Sequence, residues 1–199
     1  MATSPRAVVF DLGGVLIDWN PRYLYRSLFG GDTAAMEHFL THVCSPAWNH
    51  RQDAGRSFAE GSAELIREFP EARLLIEAWR ERFAETLGGP IAGTVEVLAA
   101  LRERGVPLYA LSNWWAETFP IARERFDFLG WFDGIVISGE LGVAKPDPRI
   151  FAHLLDTYGL RAEATVFVDD LPVNVTAAGA AGMQTILFTD PPALREALR

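Results

Sequence analysis

The stretch Ala7–Pro21, AVVFDLGGVLIDWNP, decides how the rest of the chain is read. Its apolar run, Ala7 to Phe10, ends abruptly on a carboxylate, Asp11. Two glycines follow, Gly13 and Gly14, and then a second short apolar run. A brief, continuously hydrophobic run rich in β-branched residues predicts a strand covered on both faces. An acid at its tip then stands at the rim of a sheet, where ligands bind in open α/β folds.

Four further runs of the same kind follow: PLYALS (107–112), GIVIS (134–138), ATVFV (164–168) and QTILF (184–188). Helical spacing fills the gaps between the later ones. TVEVLAALRERG has one apolar face and a glycine stop. DPRIFAHLLDTYG has Asp147 as an N-cap, Pro148 at the first helical position and Gly159 at its end. PVNVTAAGAAG is a small-residue helix suited to close packing on a sheet. Strand alternating with helix predicts an α/β fold with a doubly wound parallel sheet, Rossmann-like in its core.

Between residues 18 and 90 the pattern changes. The segments PRYLYRSLF, AAMEHFLTHV, SFAEGSAELIREF and ARLLIEAWRERFAETLGG are aromatic and helix-like, and strand signals are scarce. The expectation is a small helical cap, 18–90, inserted into a core made of 1–17 and 91–199. Trp19, Trp48 and Trp79 read as core residues of that insertion. The tail TDPPALREALR reads as a loop and a short closing helix.

The bulk composition narrows the function. The chain has 199 residues, 49% of them hydrophobic and 22% charged, enough for one domain with a full core. A net charge of −8 argues against nucleic acid or an anionic membrane as partner. A small anionic substrate stays open, because a few local cations can dominate a pocket. The single cysteine, Cys44, excludes an internal disulfide and fits a reducing compartment. No apolar run is long enough to span a bilayer, and MATSPR has no secretion-signal character. The expectation is a cytoplasmic monomer or homodimer.

The four strand tips carry Asp11, then Ser112 and Asn113, then Ser138 and Gly139 with Lys145 shortly after, then Asp169 and Asp170. Each has an ordinary structural reading: a turn acid, a helix N-cap, a solvated lysine, a pair of capping acids. Together they make a chemical set. A carboxylate can attack phosphorus or an activated carbon and form an ester that water later hydrolyses. Phosphoryl transfer needs fixed positive charge and donors around the transferring oxygens. Lys145 would supply the charge, Ser112 and the Asn113 amide the donors. Asp169 beside Asp11 would hold Mg²⁺. Without a cation, clustered acids facing one lysine would repel one another, so charge balance favours a metal.

In order and spacing, VVFDLGGVL, YALSN, GVAKPDPRIF and VFVDDLPVNVTAA resemble the four signature motifs of the haloacid-dehalogenase-like hydrolase superfamily, with the cap where its helical-cap subgroup has one. Through FDLGGVL and DWNP the likeness is to small bacterial sugar-phosphate phosphatases of the glucose-1-phosphatase type. The resemblance implies Asp11 as nucleophile and Mg²⁺ ligand, and the Gly13 carbonyl, Asp169 and Asp170 as further metal ligands. It implies Ser112, Asn113, Lys145 and Gly14 at the substrate, and Asn174 orienting the loop.

The departure is at Gly13, where phosphatases of this superfamily mostly carry a second aspartate as general acid and base. Such catalysis is typically worth about 10²–10⁴ in rate. Three readings follow: a Mg²⁺-dependent phosphatase of a small phosphorylated metabolite, a metal-independent 2-haloacid dehalogenase, or a non-catalytic module that binds a phosphorylated ligand or regulates a protein partner. Family dehalogenases usually lack the acid pair and carry an aromatic residue at the Gly13 position. This chain keeps the pair and has no such aromatic, which favours the phosphatase. Asp18, Trp19, Asn20 and Arg22 are expected near the substrate entrance, as are Trp48, His50 and Arg51, with His50 a candidate for the missing acid.

Overall fold

The computed structural model describes residues 7–199. Residues 1–6, which the sequence assigns to the core and reads as leading into its first strand, lie outside the described residues. The chain passes from β1 (Ala7–Phe10) through a short strand, β2 (Ile17–Trp19), into α1 (Arg22–Leu28), α2 (Thr33–His42), α3 (Pro46–Asp53), α4 (Phe58–Glu68) and α5 (Arg73–Glu81). It returns through β3 (Leu87–Pro90) and α6 (Ala92–Glu103) to β4 (Leu108–Ser112). After α7 (Phe119–Arg125) come β5 (Gly134–Ile137), α8 (Ser138–Leu141) and α9 (Pro148–Tyr158). The chain ends with β6 (Thr165–Asp169), α10 (Pro172–Ala180), β7 (Gln184–Leu187) and α11 (Pro191–Ala197).

Five strands form one sheet in the order β5-β4-β1-β6-β7, every neighbouring pair parallel. The central strand β1 places Val9 opposite Tyr109 on one side and Phe167 on the other. Because side chains alternate across a strand, Val8, Phe10, Ala110, Val166 and Val168 enter one apolar cluster with Leu98 and Leu101 of α6 and Leu194 of α11. Val9, Leu111, Val136 and Phe167 enter the other with Ile150, Phe151 and Leu154 of α9 and Ala178 of α10. Both faces of the sheet are covered, which is why its central strands read as unbroken hydrophobic runs.

The helix ends follow the sequence signals. Asp147 accepts from the Arg149 N–H at 2.9 Å, Pro148 opens α9, and Gly159 closes it in the left-handed region at φ 61°. Asp190 caps α11 through Ala193 N–H. Two elements of the inserted segment differ from expectation. The segment expected to be helix-like from 72 to 89 ends α5 at Glu81, and Leu87–Pro90 instead pairs antiparallel with Ile17–Trp19. Strands of three and four residues are too short to show a period, and their pairing joins segments about seventy residues apart. Gly88 has no side chain because a Cβ there would stand 2.4 Å from Asp18 Oδ2. The second addition is α3, capped by Ser45 through Trp48 N–H at 3.2 Å with Pro46 at its first position.

The helical segment is joined to the sheet by tryptophans. Trp48 lies edge-on to Trp79 and to Trp115, which follows β4, with centroids 5.5 Å apart in both pairs. The Trp48 indole donates to Gly61 O and the Trp115 indole to Asn49 O. Cys44 is buried, and burial pushes its thiol well above the ordinary cysteine value. Among the described residues no helix is long and apolar enough to cross a membrane.

Leu154 is fully buried on the α9 face, remote from the carboxyl rim of the sheet. Leu154→Ala should therefore lower stability by about 2–5 kcal/mol, the range for a cavity left by a core leucine. Urea unfolding with an unchanged slope checks this.

Candidate active site

The parallel sheet brings the ends of β1, β4 and β6 to one rim, so Asp11, Ser112 and Asp169 become neighbours although far apart in sequence. Asp11 follows β1 and its N–H donates to Val168 O at 2.8 Å, continuing the ladder to β6. Its Oδ1 accepts from Leu12 N–H at 2.7 Å and lies 3.0 Å from Lys145 Nζ. Asp169 is completely buried. Its carboxylate accepts from Lys145 Nζ at 2.7 Å, Leu171 N–H at 2.8 Å and Asn174 Nδ2 at 3.1 Å.

Lys145 is 1% exposed. Its ammonium has three donors, and they meet Asp11, Asp169 and the Leu111 carbonyl, the last at 2.9 Å. The backbone beneath it is clamped by Asn113, whose Oδ1 accepts from Lys145 N–H and whose Nδ2 donates to Lys145 O. Asn113 therefore spends its side chain on positioning Lys145. The buried Ser112 side chain favours the charged form of Asp11. Burial opposes charge on Lys145, but the two carboxylates beside it prevail and hold its ammonium above the ordinary lysine value. Burial pushes Asp11 up to about 7, Lys145 pulls against it, and the Asp169 charge adds to the rise.

Asp170 completes a group of acids. One carboxylate oxygen each from Asp11, Asp169 and Asp170 lies within 4.8 Å of the others. Three carboxylates around one ammonium leave negative charge uncompensated, and hard oxygen donors at this spacing suit Mg²⁺. Gly14 makes the approach of Asp170 feasible. It adopts φ +75°, and a Cβ there would stand 2.5 Å from Asp170 Oδ2. Its N–H donates to Ile17 O at 2.9 Å, so the expected role of Gly14 at the substrate gives way to one of clearance. Gly13 has ordinary backbone, with nothing within 4 Å of an added Cβ.

Gly13 lines a cavity of about 90 Å³ next to this cluster. The walls are Trp19, Phe83, Trp114 and Trp115, with Asn49, Asp53, Asn113 and Thr118 as the polar members. Of the expected entrance residues, only Trp19 is there. Asp18 accepts from Tyr23 Oη, Arg22 pairs with Glu37, Arg51 pairs with Glu64, and Trp48 is buried in the tryptophan cluster. His50 is exposed on α3 and does not line the cavity. The sequence reading missed Asp53. This last residue of α3 is 8% exposed, and its Oδ2 accepts from Asn49 Nδ2 at 3.0 Å. Nothing local marks it, since QDAGRS reads as a polar turn.

Residues 5–182 match the family described as haloacid dehalogenase-like hydrolase. The sesquiterpene phosphatase astK of Aspergillus oryzae is 32% identical over 96% of this chain and 93% of its own length. A phosphoglycolate phosphatase of Rhodospirillum rubrum is 28% identical over 93% of this chain and 80% of its own. Three other curated relatives are far longer, and the chain spans 34% of their length or less. Among solved structures, a HAD family enzyme of Bacteroides thetaiotaomicron superposes with a TM-score of 0.78 at 22% identity, covering 99% of this chain and all of that one. That enzyme has also been solved in complex with magnesium and inorganic phosphate.

Burial pushes the Asp53 carboxyl from 3.8 up to about 7, with the Asp11 charge adding to the rise. Between those values the unfolded chain releases the proton while the folded one keeps it, so this group's contribution to stability falls as pH rises and levels off above about 7. Asparagine does not titrate. Urea midpoints should therefore show Asp53→Asn gaining stability relative to the unsubstituted chain between about pH 5 and about pH 8.

Proposed function

The chain belongs to the haloacid dehalogenase-like hydrolases, and from that premise we propose that it is a Mg²⁺-dependent phosphatase acting on a small phosphomonoester through an aspartyl phosphate on Asp11. The observation that carries this reading is the triad of carboxylates, Asp11, Asp169 and Asp170, gathered beside one buried ammonium. When bound, Mg²⁺ would neutralise charge on the phosphoryl oxygens. Asp11, with Asp169, Asp170 and the Gly13 carbonyl, would hold it.

In this reading Asp11 attacks phosphorus as the bond to the leaving alcohol breaks, and water then cleaves the acyl phosphate to return the carboxylate. Lys145 keeps Asp11 and Asp169 in register and places a fixed positive charge beside the reacting oxygens. Ser112 and the Asn113 backbone amide would donate to the phosphate. Residues 18–90 would serve as a cap that excludes water from the cavity.

The cavity walls favour an apolar organic group over a sugar. Four aromatic side chains line it, and its polar atoms are largely committed. Trp114 Nε1 donates to Thr118 Oγ1, Trp115 Nε1 to Asn49 O, and Asn113 clamps Lys145. Sugar hydroxyls would find few free partners, and a buried unpaired hydroxyl is costly. The similarity to a sesquiterpene phosphatase over nearly the whole chain agrees with an apolar substrate.

Phosphate release with Mg²⁺ tests the reading. Prenyl and aryl phosphates should be turned over faster than glucose 1-phosphate, and chelation should stop the reaction. Asp11→Asn should lose turnover by at least about 10³-fold while keeping the fold, because the amide conserves volume but is not a nucleophile. Near-native activity of that variant would overturn the proposal. Metal-independent halide release from 2-haloacids, without phosphate release, would replace it with a dehalogenase.

A further inference from the structure

Departure of a poor leaving group needs a proton at its oxygen, and hydrolysis of an acyl phosphate needs one taken from water. Gly13 has no side chain for either task. The cavity it lines is also lined by Asp53, contributed by the last turn of α3. We propose that Asp53 is the general acid and base of this reaction. The proposal rests on the phosphatase reading above.

Three observations carry it. Asp53 opens on the cavity that Gly13 and Asn113 line, and the charges of both Asp11 and Lys145 reach it. It is buried without a cation: among the described residues its one hydrogen-bond partner is Asn49, through Oδ2, and no salt bridge includes it. A buried carboxyl with no cation favours its neutral form, which is the form an acid must take. Its raised pKa, about 7, allows both protonation states near neutral pH. Finally, Asp53 is held firmly against the sheet rim. Gly55, at φ +97°, lies so near the α8 end that a Cβ would meet Gly142 Cα at 2.9 Å. The Trp115 indole pins Asn49 from the other side. A purely structural residue at this position would gain from being neutral, so an unpaired buried acid points to a chemical use.

The protons balance. As Asp11 bonds to phosphorus and the P–O bond to the alcohol breaks, the Asp53 carboxyl gives its proton to the departing oxygen. The resulting carboxylate takes a proton from water as that water's oxygen bonds to phosphorus. The bond from phosphorus to Asp11 breaks, releasing phosphate and leaving Asp53 protonated.

The experiment measures kcat/KM with Mg²⁺ for dinitrophenyl, para-nitrophenyl and phenyl phosphate, whose leaving groups grow steadily poorer. Asp53→Asn should lose about 10²–10⁴-fold on phenyl phosphate and much less on dinitrophenyl phosphate. With the latter it should release a burst of dinitrophenol equal to the enzyme concentration, then turn over slowly. Because Gly13 has room for a side chain, adding Gly13→Asp to Asp53→Asn should restore phenyl phosphate activity at least about tenfold. A structural defect would not be rescued that way. In the unsubstituted background, a gain of about tenfold or more on phenyl phosphate from Gly13→Asp alone would show that no acid was present and overturn the proposal. Equal losses on all three esters in Asp53→Asn, or no loss, would also overturn it while the phosphatase reading stands. If the unsubstituted protein releases phosphate from none of the esters, the phosphatase reading itself fails.

Discussion

Three donors of one ammonium, Lys145 Nζ, meet one oxygen each from the ends of β1, β4 and β6: Asp11, the Leu111 carbonyl and Asp169. The rest of the rim depends on that junction. A lysine this deeply buried is tolerated only with every donor used and its charge matched. The requirement works in both directions, because Asp169 is equally buried and needs Lys145 as its counter-charge. Asn113 and Asn174 then serve the junction, one clamping the backbone of Lys145 and the other bonding Asp169. Removing one partner would leave an uncompensated buried charge, which typically costs about 3–5 kcal/mol. Stability and chemistry are built from the same groups here.

The junction still leaves excess negative charge, and that excess is the functional statement of the site. Asp11 is raised by burial and Asp170 is raised as well, burial again the leading cause. A fold with no use for these acids would be more stable with neutral residues in their place. Close backbone approach makes the crowding feasible. Gly14 has no Cβ where Asp170 stands, and Gly139 has none where the Trp114 carbonyl and Ala116 amide stand. Ser138 ties the same region together by accepting from Trp114 N–H. A methyl group at either glycine would push an acid or a loop out of register.

Helices α1–α5 reach the rim through an aromatic contact reinforced by polar ones, Trp115 Nε1 to Asn49 O and Arg80 to Glu117. Trp48 and Trp79 pack on Trp115, which immediately follows the β4 tip, so the segment that contributes Asp53 is seated directly beside Ser112 and Asn113. Aromatic pairs add roughly 0.5–1.5 kcal/mol each beyond the area they bury. The same cluster supplies apolar wall to the cavity, and packing and substrate preference are therefore linked through Trp115.

The amino-acid sequence by itself determined the five sheet strands, the caps of α9, the closing helix, and the four tips on which Asp11, Ser112, Lys145 and Asp169 stand. Those features are local: a hydrophobic run, an Asp-Pro pair or a closing glycine acts on its own neighbours. It also carried the likeness to a hydrolase family, because that likeness lies in contiguous motifs. The tertiary structure alone decided the β2–β3 pairing, the commitment of the Asn113 side chain to Lys145, the conversion of Gly14 into clearance for Asp170, and the burial of Asp53. Each of these depends on contacts between segments tens of residues apart. Asp53 in QDAGRS looks like any polar turn, and it becomes a buried acid only because Gly55 lets that turn close onto Gly142.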